Sequence, residues 1–535
     1  MSLQFIFGNS GSGKSTYLRS DIIKSSVEHP EKTHIMLVPE QFTMQTQKDL
    51  CFAHPAKGIL NIDVLSFERL AYRIFQEVGH DSRTIIDDEG KNLILRRVAG
   101  ECKDELVILK KNLKKQGYIN EVKSIISEFT QYGVGPEQLT HMIESTDSGS
   151  YLHYKLRDIK RVYDAFEDYI QEKYFTKEEL LDVLSESVPK SNILKNSVIC
   201  MDGFTGFTPV QVRLICELLK FSDKIMITVD MDKRENPYQY THPYQLFALS
   251  KHMVTSLTDM CKEENIPVDE PVYLYTNANH RFAQNPSMMF LEENLFRYSS
   301  NTYTGASNLS LHETKNPKEE AMYVAEAIRK LVRTKGYRYR DFAVIISNPD
   351  TYANHLESAF ECYHIPMFMD HKRSILQNSF IEYIRSLLSI AEQNYTYESV
   401  FRFMRTGLCD FTSDEIDMMD NYCLAVGIKG FKKWDEKWTR RTKDMDGSEL
   451  ETLNAYRERF ISKMIEFREA MKQPRKTVED ITRAIYLFLV RENIQSKVND
   501  IAENFQATGE LSLSKEYAQV YRVLLNLFDK FVELL

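Results

Sequence analysis

The chain has 535 residues and carries 68 Lys and Arg against 77 Asp and Glu, a formal net charge of −9. Its 43% apolar content is enough to fill real cores and excludes a disordered chain, and the acidic balance excludes a broadly basic nucleic-acid binder, so any DNA contact must come from local patches. The eight cysteines (Cys51, Cys102, Cys200, Cys216, Cys261, Cys362, Cys409, Cys423) stand singly with no C-x-x-C pair, and no run of 18 apolar residues offers a membrane span.

Scattered thiols suit a reducing compartment, which sets the expectation of a cytoplasmic protein without a membrane partner. A signal peptide is not expected, because another motif occupies its place at the start of the chain. The length predicts about three or four domains.

The first element is an apolar run, Leu3 to Phe7, read as a buried strand. It leads into Gly8, Asn9, Ser10, Gly11, Ser12, Gly13, Lys14 and Ser15, which match the phosphate-loop pattern G-x-x-x-x-G-K-[ST] at every fixed position. Residues 17–24 can form the following helix. In that context the glycines let backbone N–H groups converge on phosphate oxygens, Lys14 adds a cation and Ser15 a hydroxyl for Mg²⁺. The plain alternative is a glycine-rich turn followed by a chance Lys-Ser.

Ile35 to Val38 reads as a second strand, ended by Pro39. Ile59, Leu60, Ile62, Val64 and Leu65 suggest a third, with Ser66 as N-cap of a helix whose Phe67, Leu70, Ala71 and Ile74 recur at helical spacing. Strands and helices that alternate in this way indicate a parallel sheet and an α/β class. From about Asp87 to Leu194 the pattern turns helical, with Val122, Ile125, Ile126 and Phe129 on one face. Lys110, Lys111, Lys114 and Lys115 cluster there with Tyr118 nearby, either as a solvated helix face or as a contact for a phosphate backbone.

The sheet resumes with Val198 to Met201, which ends in Asp202, the position of the acid that holds the Mg²⁺ shell in phosphate-loop proteins. A helix around Val210 to Leu219 and a strand from Lys224 to Asp230 follow, and residues 231–245 read as a loop. After a polar stretch near 299–308 a second α/β unit is expected. It comprises a helix through Ala321, Val324, Ala325, Ile328 and Leu331, a strand from Asp341 to Ser347, a helix from His355 to Tyr363, and a short strand from Ile365 to Phe368. From about 375 onward the pattern is helical and includes a basic aromatic segment, Lys429 to Arg441. Its Trp434 and Trp438, four residues apart, are candidates for base stacking or for one packed helix face. The pattern from Tyr517 to Leu535 has no cap, so the chain is expected to be a fragment.

With these pieces placed, the chain resembles superfamily 1 helicases, and within them the N-terminal half of the AddB family, the second component of bacterial AddAB helicase–nucleases. The carriers are the phosphate loop, Val38-Pro-Glu-Gln41, Leu65-Ser-Phe67 with Leu70 and Ala71, and Met201-Asp-Gly-Phe204 with Phe207-Thr-Pro-Val-Gln211. Asn285-Pro286 before Leu291-Glu292, Asp341-Phe-Ala-Val344, and Tyr397-Glu-Ser-Val-Phe401 leading to Thr406-Gly-Leu408 complete the set. The resemblance implies RecA-like sheets with large helical insertions. Residues 1–86 and 195–298 would form the first RecA-like domain and 87–194 its insertion, with 299–385 part of a second and 386–535 a second insertion. It also implies ATP and Mg²⁺ as ligands and an AddA-type motor and nuclease subunit as heterodimer partner. Single- and double-stranded DNA follow as partners, with strand contacts near Ser66, Phe67 and Phe204. The family's nuclease site and 4Fe–4S cluster belong largely to the C-terminal part and are not recognisable here.

Two departures bear on mechanism. The second helicase motif is of the type D-E-x-Q-D-x-x-P-x-Q; here Asp202, Pro209 and Gln211 keep it, while the position of the water-orienting glutamate is Gly203. Only seven residues precede Gly8, so the upstream segment that grips adenine has no room, and the arginine-bearing motor motifs are expected after residue 535. No catalytic residue is assigned. Three functions fit: a DNA-gripping repair subunit that scans for a recombination hotspot with a poor motor, an active ATP-dependent DNA helicase, or a non-catalytic scaffold.

Overall fold

The structure, a computed structural model, describes residues 1–79, 83–112, 115–275, 281–369, 374–443 and 445–535. The chain divides into two units, Met1–Leu311 and His312–Leu535.

In the first unit the short apolar runs become strands because both of their faces can be buried. The principal sheet contains β1 (Leu3–Gly8), β2 (His34–Leu37), β3 (Ile62–Leu65), β6 (Val198–Met201), β7 (Lys224–Asp230) and β8 (Val272–Tyr273). Its order is β3-β2-β6-β7-β1-β8, with every pairing parallel. Alternate side chains serve opposite cores. Phe5, Phe7, Leu37, Ile199 and Ile227 pack on one face, and Ile6, Met36, Cys200 and Met226 pack on the other beneath Leu18 and Ile22 of the helix Lys14–Glu28. A parallel sheet covered on both sides, with helical insertions, is the expected α/β, RecA-like class.

The third strand is shorter than its apolar run suggests, since Leu60 lies before it and is fully exposed. Ser66 caps the helix Phe67–Val78 by accepting the N–H of Arg69. Between 87 and 194 the helices Asp88–Glu101, Gln116–Tyr132, Pro136–Glu144, Tyr151–Ile170 and Leu180–Ser187 form as expected. Sequence reading missed a two-stranded parallel ribbon of β4 (Thr84–Ile86) and β5 (Tyr174–Thr176), whose strands lie far apart in the chain. Three-residue strands are too short to leave a periodic signal. Lys110, Lys111 and Lys115 are exposed, and Lys110 pairs with Asp104 at 2.9 Å; Lys114 lies outside the described residues.

The second unit corrects two expectations. Neither Asp341–Ser347 nor Ile365–Phe368 is a strand. The helices Pro317–Lys335 and Pro349–Cys362 pack through Ala321, Ala325, Leu356 and Phe360. The two apolar segments line a cavity of about 730 Å³ beside them. An apolar, β-branched run reports only that a segment can be buried; a strand also needs a hydrogen-bonded neighbour, and these two have none among the described residues. Ile345 and Phe368 are accordingly 96% and 90% exposed.

The helices from Ser379–Glu392 to Leu511–Leu534 pack around one large core. Trp434 and Trp438 belong to it, which makes them packed residues and not stacking platforms. The Trp434 ring sits 5.3 Å from Trp438 and 5.0 Å from Phe460, and the Arg457 guanidinium donates to the Trp434 carbonyl at 2.8 Å. Trp434→Ala should therefore lower the stability of this unit by about 3–5 kcal/mol. Denaturant titration followed by circular dichroism measures this, and a loss well under 1 kcal/mol would contradict the packing role.

Candidate nucleotide site

The site begins where β1 ends. Gly8 must be glycine, because a Cβ there would lie 2.4 Å from the Ser12 hydroxyl and 3.1 Å from the Leu274 carbonyl. Gly13 turns the chain into the helix that starts at Lys14 with φ of 94°, a conformation that costs other residues strain. The loop is closed by the Ser12 N–H donating to the Asn9 carbonyl at 3.2 Å.

Lys14 is 9% exposed. Its ammonium donates to the carbonyls of Gly8 and Asn9, each at 2.9 Å, and pairs with the Asp230 carboxylate at 2.6 Å. The Ser15 hydroxyl donates to Asp202 Oδ1 at 3.0 Å, and the Thr228 hydroxyl donates to the same oxygen at 2.7 Å. Gly11, Gly13, Lys14, Ser15 and Asp202 together face a cavity of about 470 Å³. The loop residues and Asp202, 187 positions apart from Ser15, are thus brought together as the sequence pattern requires.

These residues fit a Mg²⁺–nucleotide. Lys14 brings a cation, and Ser15 and Asp202 bring oxygen donors, to the same cavity. A hydroxyl and a carboxylate are hard oxygen donors of the kind Mg²⁺ takes in ones and twos beside phosphates. Among the described residues no group of three or more His, Cys, Asp or Glu is placed to hold a metal ion by itself.

Gly203 adjoins Asp202 with φ of 80°, and a Cβ there would meet Pro39 at 3.6 Å. The loop therefore not only lacks a carboxylate at this position but follows a path in which a glutamate would be strained. Ser66 and Phe67 are buried and Phe204 is half-buried. The Phe67 ring packs 5.4 Å from Phe204 and 6.2 Å from Phe207, so these aromatics form a cluster beside the strand ends. Of the three residues expected near DNA, Phe204 is the one that also faces the cavity.

Sequence reading gave no site role to Thr228, Asp230, Arg281 or Glu292, although Asp230 closes an expected strand and Glu292 belongs to a motif of the resemblance. Asp230 was discoverable, since an acid at the carboxyl end of a parallel strand sits where this architecture presents ligands. Glu292 accepts from the Asn9 amide at 2.9 Å and pairs with Arg297 at 3.4 Å; Arg297 also reaches Asp232 at 2.6 Å. Arg234, and then Arg297, hold the Asp232 carboxyl far below the usual carboxylate range despite its burial. This network ties the phosphate loop to the helix Pro286–Asn294.

Sheet order and the helices on both faces together define an α/β protein of the RecA-like class. The family model described as ADDB, N-terminal, matches residues 5–292. Curated relatives named as the B-type subunit of an ATP-dependent helicase/deoxyribonuclease align with the whole chain and 47% of their own length. They include proteins of Lachnoclostridium phytofermentans at 39% identity and Acetivibrio thermocellus at 34%. A third such relative, from Clostridium botulinum (strain Loch Maree / Type A3), is 33% identical with the same coverage. The chain belongs to the AddB family, in its N-terminal region, and spans about half the length of the curated relatives it matches.

The close approach at Gly8 makes a stability prediction. Gly8→Ala should destabilise the first unit by about 1–3 kcal/mol through overpacking against Ser12 and Leu274. An unchanged thermal melting curve would show that the loop relaxes freely.

Proposed function

We propose that this chain is the helicase-like, DNA-gripping part of a helicase–nuclease that repairs double-strand breaks. In this reading it holds single-stranded DNA delivered by an AddA-type motor subunit, with which it forms a heterodimer, and scans that strand for a recombination hotspot. Duplex DNA is the assembly's substrate, the 4Fe–4S cluster and nuclease belong to sequence outside this chain, and the complex works in the cytoplasm. The domain boundaries at 86/87, 194/195, 298/299 and 385/386 belong to the same proposal. Two facts support it: membership of the AddB family and relatives named as a helicase/deoxyribonuclease subunit.

The observation that carries the motor half of the reading is the pairing of Asp202 with Gly203. Ser15 and Asp202 would hold Mg²⁺, and Lys14 would bind phosphate oxygens. Bound Mg²⁺ supplies charge neutralisation of the phosphates. No carboxylate follows Asp202 to orient an attacking water, so electrostatic preorganisation is incomplete and the chain binds nucleotide better than it turns it over.

Three measurements test this. Steady-state ATP turnover by the purified chain with single-stranded DNA should fall far below the roughly 1–10³ s⁻¹ typical of enzymes. Robust DNA-stimulated turnover, lost in Lys14→Ala, would replace this reading with an active helicase. Lys14→Ala should abolish Mg²⁺–ATP binding while the protein stays folded; equal binding by the variant would remove the loop as the site.

Binding of single strands should weaken steeply with salt, because neutralised phosphates release counterions. Affinity for single strands that is absent, or indifferent to salt, would count against DNA gripping by this part of the protein.

A further inference from the structure

The segment Lys429 to Arg441 has no part in the nucleotide site, yet it is the most basic aromatic stretch noted in the sequence. It carries six Lys and Arg against Asp435 and Glu436, within a chain whose net charge is −9. Its two indoles point inward: Trp434 and Trp438 are 0% and 4% exposed, in the core of the second unit. Lys429, Lys432, Lys433 and Lys437 are all exposed. The indoles pin the segment to the core and leave its lysines in water.

A second element adds to the same surface. Phe431 opens the short helix Phe431–Asp435, and the Arg468 guanidinium lies over its ring at 3.4 Å. The Lys472 ammonium stands 5.9 Å from the same ring. Both cations belong to the helix Gly447–Lys472, so positive charge from two elements converges around one side chain. Inside the core, the buried Arg457 donates to the carbonyls of Trp434 and Asp435 at 2.8 and 2.9 Å. Its charge is met there by neutral oxygens and adds to the positive field.

Elsewhere in this unit cations have carboxylate partners. Arg405 pairs with Asp417 and Asp420, each at 2.7 Å, and Lys497 with Asp410 at 2.7 Å. Around Phe431 the matching is poor. Lys432 stands 3.8 Å from Glu436, while among the described residues Lys429, Lys433, Lys437, Arg468 and Lys472 form no ion pair. Asp435 and Glu469 are acids close in sequence, and both are exposed. Like charges crowded without counter-ions repel, and an incoming polyanion relieves that repulsion.

Aromatic exposure decides which polyanion fits. Single strands are held by bases stacked on open rings as well as by charge. In this segment the indoles are buried, and Arg468 covers a face of Phe431. Duplex DNA hides its base faces in the stack and presents one charge for about every 1.7 Å of its axis, so cations alone can hold it.

We propose that the surface around Phe431, with Lys429, Lys432, Lys433, Lys437, Arg468 and Lys472, docks the phosphate backbone of duplex DNA without regard to sequence. This rests on the reading of the chain as part of a DNA-processing assembly, and it adds a duplex contact in the second unit to the proposed gripping of single strands.

The test is fluorescence anisotropy of labelled duplex and single-stranded DNA of equal length and mixed sequence, titrated with the whole chain at several salt concentrations. A triple variant, Lys432→Ala with Lys433→Ala and Lys437→Ala, is compared with Lys318→Ala, Lys330→Ala and Lys335→Ala combined. The latter remove the same charge from three exposed lysines of the helix Pro317–Lys335. Thermal melting confirms that both variants are folded. The first variant should weaken duplex binding by about tenfold or more. It should also lower the slope of log affinity against log salt by roughly 0.9 for each lysine that touches a phosphate. Its single-strand affinity should change less, and the second variant should bind duplex as the unaltered chain does. Duplex binding unchanged in the first variant sinks the inference and leaves the single-strand reading standing. Equal losses in the two variants would reveal a mere effect of net charge, and equal losses for duplex and single strand would remove the duplex assignment; either overturns it. A chain that binds single strands but no duplex overturns it as well. If the chain binds neither, the inference and the DNA-gripping reading fail together.

Discussion

The register of three parallel strands, β6, β7 and β1, is the constraint on which the candidate nucleotide site depends. Met201 pairs with Ile227, and Gly8 with Asp230, so the carboxyl ends of all three strands come out on one edge. That edge collects the phosphate loop, Asp202, Thr228 and Asp230. A shift of one residue would turn Phe5 and Phe7 from one core to the other and carry Asp230 away from Lys14. Burial on both faces makes such a shift costly, and the hydrophobic packing thereby holds the polar geometry in place.

Within that geometry each charge is already engaged. Asp202 accepts from two hydroxyls, Lys14 spans two carbonyls and a carboxylate, and Asn9 leans on Glu292. In the proposed function a polyphosphate and Mg²⁺ would exchange with these contacts, and the proposed weakness in hydrolysis rests on the residue after Asp202, a glycine in a left-handed conformation. Binding and turnover are separable properties, because the first needs cations and N–H groups whereas the second also needs an oriented water.

Legibility followed the range of the interactions. The strand–loop–helix at the start of the chain, the cap at Ser66 and the acid at Asp202 could be read directly, because each depends on residues adjacent in sequence or on a short apolar run. Residues 341–347 and 365–368 were misread as strands for the converse reason: their composition reports burial, and pairing depends on a neighbour elsewhere. The ribbon of β4 and β5 escaped notice because its strands are brief and meet across a long helical excursion. Trp434 and Trp438 lay on the boundary, since their spacing marks a face but does not tell whether another helix covers it.

By itself the sequence determined the α/β class, the loop motif from Gly8 to Ser15, the place of Asp202 at the end of a strand, and the absence of a carboxylate at Gly203. These are properties of residue type at fixed local spacing, and local backbone chemistry enforces them. Only the tertiary structure decided that Asp230 grips Lys14, that Thr228 shares Asp202 with Ser15, that Arg281 faces the same cavity, and that Glu292 reaches back to Asn9. Those contacts join residues up to 283 positions apart. They are set by which strands lie side by side and in what register, and that is decided by the packing of the whole sheet between its two cores.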